Sequence, residues 1–588
     1  MLQNTYRFSP RLSLGFFILI NLFFSSCGPS EEELSPKADI IYEEAEHNYS
    51  NNNLFEAKRL YEEVISINPH HYESLMRLGE IGRNQGDYEE SLKYYKQVQK
   101  IKGDYIPCFS AMADTYLAMG DWKEAIDTYD EILEIDSENY DALGMIGKIY
   151  YDQGNMDKAE KYFLKAIDIK ANHFISCYTM GMISFNNKDY ETASEYFFDA
   201  VRSNAMSFEA NYNLGLAYFH LGRHDDAIGF FGRAVKLGPS RVGPYYAMGH
   251  CLLLMEIYDE AQSWLNTAIE MEPGLYQAYN DLGMIHVASG LFEDAENYFI
   301  KSLTIEPGYL DANVNLGKLY LDQEKFPQAE RYFTRAIRID PTNTSALKNL
   351  GITRIKLGNP EGAVSVLKDA IKIAPDDPDL HYNLGNVYIH TGDYDEAIDS
   401  FKEALSLSSS FPMAYVGIGD TYKIQGDLER AEEYYIKATE ASPTCHEAYI
   451  SLATLYCEQS RFEDAKKAYL KVIEIKPDLY EIYISAAEIC LMNNESLPQA
   501  LAMVDTALKA YGGYSRGHEV RGKIFLAMGK RAEGIAELKK ALKYDPENET
   551  AKAALDSLTS APAPGGEPIP KDTEGGTTPA EEEGSVEP

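Results

Sequence analysis

Positive charge is what this sequence has too little of. Against 92 Asp and Glu stand only 54 Lys and Arg, leaving a formal charge of −38, and no stretch gathers its lysines and arginines into a basic face. Such a field repels a nucleic acid duplex or an anionic bilayer, so neither is an expected partner of the folded chain. Cysteine is sparse as well. The seven cysteines, at 27, 108, 177, 251, 445, 457 and 490, show no C-x-x-C spacing and fall far below the density of a disulfide-stapled fold. Six of them read as buried small residues, and Cys27 stands apart. The apolar stretch from Leu12 to Phe24 is too short to span a bilayer, which takes about 20 residues. What is present in quantity is ordinary: 45% hydrophobic and 25% charged residues can build a packed core, and the length allows about four domains.

Residues 1–26 carry Arg7 and Arg11, no acidic group, and the short apolar core just described, which is the build of a secretory signal peptide. The end of this segment, Phe24-Ser25-Ser26-Cys27, resembles the lipobox of bacterial lipoproteins, with Phe24 where leucine is usual. The resemblance implies cleavage before Cys27 and acylation of that residue, which anchors the mature chain by lipid and places its bulk outside the cytoplasm. Residues 27–37 then read as a lipidated cysteine and an acidic, flexible tether. Within them, Ser30-Glu31-Glu32-Glu33 also resembles the tag that sends some lipoproteins to the outer cell surface. A bacterial outer membrane lipoprotein, facing the periplasm or the surface, is the expected location.

From Ala38 the chain repeats itself every 34 residues, a period that marks a repeat architecture. The stretches 208-FEANYNLGLAYFHLGRHDDAIGFFGRAVKLGP-239, 310-LDANVNLGKLYLDQEKFPQAERYFTRAIRIDP-341 and 378-PDLHYNLGNVYIHTGDYDEAIDSFKEALSLSS-409 align without a gap. Steps of 34 from Gly79 land on Ala113 and then on Gly147, Gly181, Gly215, Gly249, Gly283, Gly317, Gly351, Gly385 and Gly419. One extra residue near Leu497-Pro498 shifts the frame, and about fifteen units fill residues 38–548. Each unit holds two stretches with apolar residues at i, i+3, i+4 and i+7, the period of a helix and not of a strand. In the 208 unit Gly222 is placed to end the first helix, and Asp225-Asp226 opens the second, where acids meet the positive helix start. Small residues at Gly215 and Ala227 let two backbones approach, with Tyr218 and Phe231 around them, and Pro239 stops the second helix.

This pattern resembles the tetratricopeptide repeat (TPR). The resemblance implies an all-α, right-handed superhelical solenoid of helix-turn-helix units. Departures from the pattern occur at Ala45, Ala113, Ala453 and Ala487, which replace the first-helix glycine. The closing proline is missing at Gly103, Ser137, Ala171, Ala205, Ser409 and Gly512. Residues 549–558 read as a capping helix and 559–588, rich in Pro, Gly and Glu, as a disordered tail.

Repeats, tether, cap and tail use up the chain, so an enzyme is not expected. Gly513-Tyr514-Ser515-Arg516-Gly517 matches G-x-S-x-G but lacks the preceding strand that a nucleophile elbow requires. There is no GK[ST], and Gly417-x-Gly419 falls in a first helix. His220 and His224 straddle a turn, which speaks against a metal pair. Asp376-Asp377-Pro378-Asp379 lacks the spacing of a calcium loop. No cofactor, metal, nucleic acid or small-molecule substrate is expected.

What remains is surface. In this fold the first helices line the concave side, where Tyr178, Met182 and Phe185, then Tyr212, Leu216 and Phe219, then Tyr246 and Leu253, then Met284 and Val287 offer apolar groups in four successive units. Such a groove suits an extended peptide or a helix of a protein partner, with aromatic anchors. The competing reading is that winding of the repeats buries these side chains. Asn213, Asp281, Asn315, Asn349 and Asn383 hold equivalent places beside them. In TPR relatives an asparagine ladder of this kind grips a peptide backbone, for which amides that both donate and accept are suited. Two functions follow: a lipid-anchored interaction scaffold of a cell-envelope assembly or, alternatively, a surface protein binding host or extracellular ligands.

Overall fold

The computed structural model describes residues 31–493 and 496–560. The signal peptide, Cys27 and the tail beyond residue 560 lie outside the described residues. Within them the chain forms thirty-one α-helices, numbered α1 to α31 in chain order, and no strand among the described residues. The helices fall into two units, residues 1–285 and 286–588, divided inside α15 (Tyr276–Ala288).

The pair α11 (Phe208–His220) and α12 (His224–Leu237) shows how the sequence makes one repeat. Ser207 caps α11 by accepting the Ala210 N–H at 3.1 Å, satisfying a donor that the first helical turn leaves free. The turn to α12 requires a left-handed residue, and Gly222 supplies it at φ +72° without the steric penalty a side chain brings. Elsewhere the same turn is forced on Lys188, Glu256, Glu324 and Ser460, all at positive φ. The following four-residue turn needs no proline. At all six positions where the closing proline is missing, the preceding N–H still bonds four residues back, as Lys102 does to Val98 and Tyr511 to Ala507. At Asn204 the side chain supplies the stop, accepting the Met206 N–H at 3.1 Å.

Packing explains the stepping glycines. A Cβ at Gly215 would lie 2.6 Å from the ring of Phe231, and at Gly385 2.6 Å from Phe401. In most repeats an aromatic ring of the second helix rests directly on the backbone of the first, with Leu265 and Leu367 in that place at Gly249 and Gly351, and Phe163, Phe197, Phe231, Phe333 and Phe401 are all fully buried. Tyrosines at this place need a partner for their hydroxyl. Tyr61 donates to Glu46 at 2.6 Å, Tyr129 to Asp114 at 3.2 Å and Tyr435 to Asp420 at 2.6 Å. Tyr95 has none, because Glu80, its counterpart acid, is taken by Arg77 at 2.9 Å and Tyr49 at 3.4 Å. Tyr95→Phe is therefore expected to leave stability unchanged or to raise it by up to ~1 kcal/mol. Tyr435→Phe, which strips a half-buried carboxylate of its donor, is expected to lower stability by ~1–3 kcal/mol. Chemical denaturation of the two variants checks the order, and the reverse order would contradict this packing.

The N-terminal boundary differs from expectation. α1 (Glu31–Ser50) starts within the stretch read as a tether, so residues 31–37 are helical. Pro36 lies inside this helix. At the other end α31 (Glu549–Ser560) follows the last repeat, and Ala551 is fully buried in the cluster it forms with Leu538 and Ala541.

Candidate protein-binding surface

The surface residues of the first unit stand on α9 (Phe174–Asn186), α11, α13 (Val242–Leu254) and α15. Tyr178, Met182, Phe185, Tyr212, Leu216, Phe219 and Tyr246 are all half-buried, packed on one side against the core and open on the other. Val287 is also half-buried but belongs to the second unit. The tyrosines are held by stacking: Tyr178 lies 5.9 Å from Phe174 and from Phe197, and Tyr212 lies 5.8 Å from Phe208 and from Phe231. These rings are pre-ordered, which lowers the entropy lost when a partner binds.

One expected member does not take part as read. Leu253 is buried, at 7% exposure, because α13 is apolar on all sides and also buries Cys251 and Leu252 beside it. Met284, by contrast, is exposed.

The polar ladder is not a row of free amides. Asn213 donates to the Tyr178 hydroxyl at 3.0 Å and lies 3.3 Å from the Met182 sulfur, tying one first helix to the preceding one. Asn349 and Asn383 bond back along their own helices, to Ser345 at 2.9 Å and Asp379 at 2.7 Å. Asp281 is 2% exposed and accepts from His250 at 2.8 Å and Asn280 at 3.2 Å, so it corrects the expected surface contact to an internal one: an acid cannot be buried without such donors. Asn315 is half-buried on α17 (Leu310–Asp322). Asn213 and Asp281 fall in the first unit and the other three in the second.

Sequence reading missed His250 on this face. His250 takes the place that Met182 and Leu216 hold in earlier units, and lies 5.4 Å from Phe219 and 5.7 Å from Tyr246. His220 stacks on Tyr190 at 4.4 Å and meets Phe185 at 5.5 Å, and burial lowers its pKa, which favours the uncharged ring. The 34-residue register was the available signal. Read along it, the same helix position runs Glu46, Glu80, Asp114, Lys148 and then Met182, Leu216, His250, Met284. Charge stops where the aromatic face begins.

The other motifs are structural. His220 and His224 both lie against Phe219, at 5.4 and 5.6 Å, and among the described residues no group of three or more His, Cys, Asp or Glu could hold a metal ion. Ser515 opens α29 (Ser515–Ala527), donating to the Ala541 carbonyl at 3.0 Å and accepting from Asn548 at 3.1 Å. Asp377 caps α21 (Pro378–Thr391) through the Asp379 N–H. No described helix is long and apolar enough to cross a membrane.

Models described as tetratricopeptide repeat match residues 70–138, 110–173, 178–242, 242–274, 274–342, 314–378, 354–407, 414–445, 446–479 and 516–548. Among curated proteins no significant match is found. Similar solved structures include the APC/C hetero-tetramer Cut9-Hcn1, at 16% identity over 78% of this chain and 99% of the other, TM-score 0.35. Yeast Tom70 is similar at 15% identity over 75% of this chain and 100% of the other, TM-score 0.33. YrrB, described as a TPR protein with an unusual peptide-binding site, is similar at 23% identity over 31% of this chain and 95% of the other, TM-score 0.28. At these TM-scores the likeness carries no functional information. The helix-pair repeat, its glycine-on-aromatic core and the family matches agree: this chain belongs to the tetratricopeptide repeat family.

Proposed function

We propose that this repeat protein is a lipid-anchored scaffold of a bacterial cell-envelope assembly, fixed to the outer membrane through Cys27 and holding an extended peptide or a helix of a protein partner on the face of α9, α11 and α13. The observation that carries the binding reading is the row Tyr178, Met182, Phe185, Tyr212, Leu216 and Phe219, half-buried and uncharged in a chain of net charge −38. An apolar face kept in contact with water by a highly charged protein marks an interaction site. Rigid aromatic rings set in a packed base are suited to be its anchors.

The anchor and the face are tested separately. Labelled palmitate is expected to enter the native protein and not Cys27→Ser; incorporation into both would overturn lipidation at that residue. Purification from detergent-solubilised membranes of the native host is expected to bring down one envelope protein with the native chain. The double variant Met182→Glu, Leu216→Glu is expected to lose it by at least ~30-fold, since each apolar anchor is worth ~1–2 kcal/mol, with unchanged melting of the repeats. Equal recovery by a well-folded double variant would overturn the assignment of this face. Sparing of the protein when intact cells are treated with protease favours the periplasmic orientation, whereas its digestion favours the surface-ligand alternative.

A further inference from the structure

The second unit contains a cleft of ≈ 910 Å³ at the turn between α28 (Leu497–Ala510) and α29, against the first turn of α27 (Tyr480–Met492). Its walls are Tyr480, Tyr511 and Tyr514 with Ile450, Leu479 and Ile482, and the carboxylates Asp478 and Glu481 join them. The cleft exists because the turn reads Tyr511-Gly512-Gly513-Tyr514 where neighbouring repeats carry proline: two residues without side chains leave the space open. Tyr511 is 61% exposed, with its ring 5.5 Å from that of Tyr480 in an edge-on contact.

We infer that the occupant of this cleft is the chain's own segment Pro568-Ile569-Pro570-Lys571, docked within the same molecule. Three observations point to it. First, proline presets its backbone angle, so a Pro-x-Pro segment loses little entropy on binding, and tyrosine-lined clefts are what such segments fit. Second, a cleft edged by Asp478 and Glu481 in an acidic protein selects a cationic ligand. Lys571 is the single cation among residues 561–588, and it directly follows the apolar Ile569-Pro570. Third, the segment reaches. The Leu558 carbonyl accepts from Arg531, at the first residue of α30 (Arg531–Tyr544), which fixes where α31 ends. The twelve residues of α31 are ~18 Å long. The eight residues between Ser560 and Ile569 span up to ~30 Å, enough to return along that helix and cross to the α28–α29 turn. The acids Glu581, Glu582 and Glu583 lie further along and are left outside the cleft. The site is independent of the face proposed on α9, α11 and α13.

The test places a photoreactive benzoylphenylalanine at Ile569 in the otherwise full chain and maps the crosslinked peptides by mass spectrometry. The expected adduct joins residue 569 to 478–482 or 511–514. Its yield should fall roughly two- to fivefold in Lys571→Glu, the loss of a partly exposed ion pair, and stay unchanged in Glu582→Lys. Adducts confined to other parts of the protein, or none, would overturn the proposal. An equal mixture of ordinary and ¹⁵N-labelled protein separates the sources: adducts within one isotope class support docking in the same molecule, and mixed-class adducts would overturn it in favour of a second copy.

Discussion

Phe231→Ala is expected to destabilise the first unit by ~3–5 kcal/mol, the cost of emptying a phenylalanine site that cannot collapse. The ring is fully buried and rests on the backbone of α11 at Gly215, so the two helices of the repeat are held apart by the very group that is removed. In a repeat array each unit contacts mainly its neighbours, and damage stays local before it spreads. Amide exchange should therefore accelerate first in α11 and α12, with α29 and α30 unaffected. The converse change, Gly215→Ala, places a Cβ 2.6 Å from the same ring and is expected to cost ~1–3 kcal/mol by overpacking. In the Phe231→Ala background that cost should shrink, because the atoms it strikes are gone. Additive effects of the two substitutions would contradict the close approach on which the whole array is built.

Acid is expected to open the last repeat before the repeat of α11 and α12. Glu537, on α30, is 5% exposed, and accepts from His518 at 2.7 Å and from Lys540 at 2.8 Å, with Arg521 3.9 Å away. Burial alone would raise its pKa, but hydrogen bonds from Lys540 and His518 and the charges of Arg521 and Lys540 outweigh burial and hold the carboxyl below the usual range. Glu519 is lowered in the same way: burial opposes, and donors led by Lys523 and including Asn548 prevail. A carboxyl whose folded pKa lies below its unfolded value, ~4.3, contributes stability that is complete above that value and is lost as pH falls through the folded one. Between about pH 5 and pH 3, exchange protection in α29, α30 and α31 should thus decline ahead of protection in α11 and α12. Glu537→Gln is expected to cost ~1–3 kcal/mol of local stability at neutral pH, since it weakens a buried acceptor bonded to His518 and Lys540, and to flatten the acid response. An acid response in this repeat that Glu537→Gln leaves unchanged would assign the sensitivity to other groups.

The repeat fold was almost fully legible in the chain, and the reason is physical. Gly147, Gly181 and Gly215 recur at 34 because a side chain there would occupy the ring of Phe163, Phe197 or Phe231, so the period records a steric constraint. The surface was legible only in part. Register places Leu253 with Phe185 and Phe219, yet it is buried, because helix period gives direction and not depth. Asp281 sits in register with Asn213, but His250 and Asn280 draw it inward. His250 is a polar residue at an apolar register position, yet its ring, stacked on Tyr246, joins the same surface. The lone hydroxyl of Tyr95 was beyond sequence reasoning altogether, since it depends on Glu80 choosing Arg77 and Tyr49 instead.

The most direct measurement is photocrosslinking from Leu216 in living cells of the native host, with Leu164, an exposed residue of a second helix, carrying the same group as the comparison. A dominant envelope protein captured from Leu216 and not from Leu164 is the predicted result. Equal capture from both positions, or none from Leu216 in a chain that folds and is lipidated, would contradict the assignment of the aromatic face as the place where a partner is held.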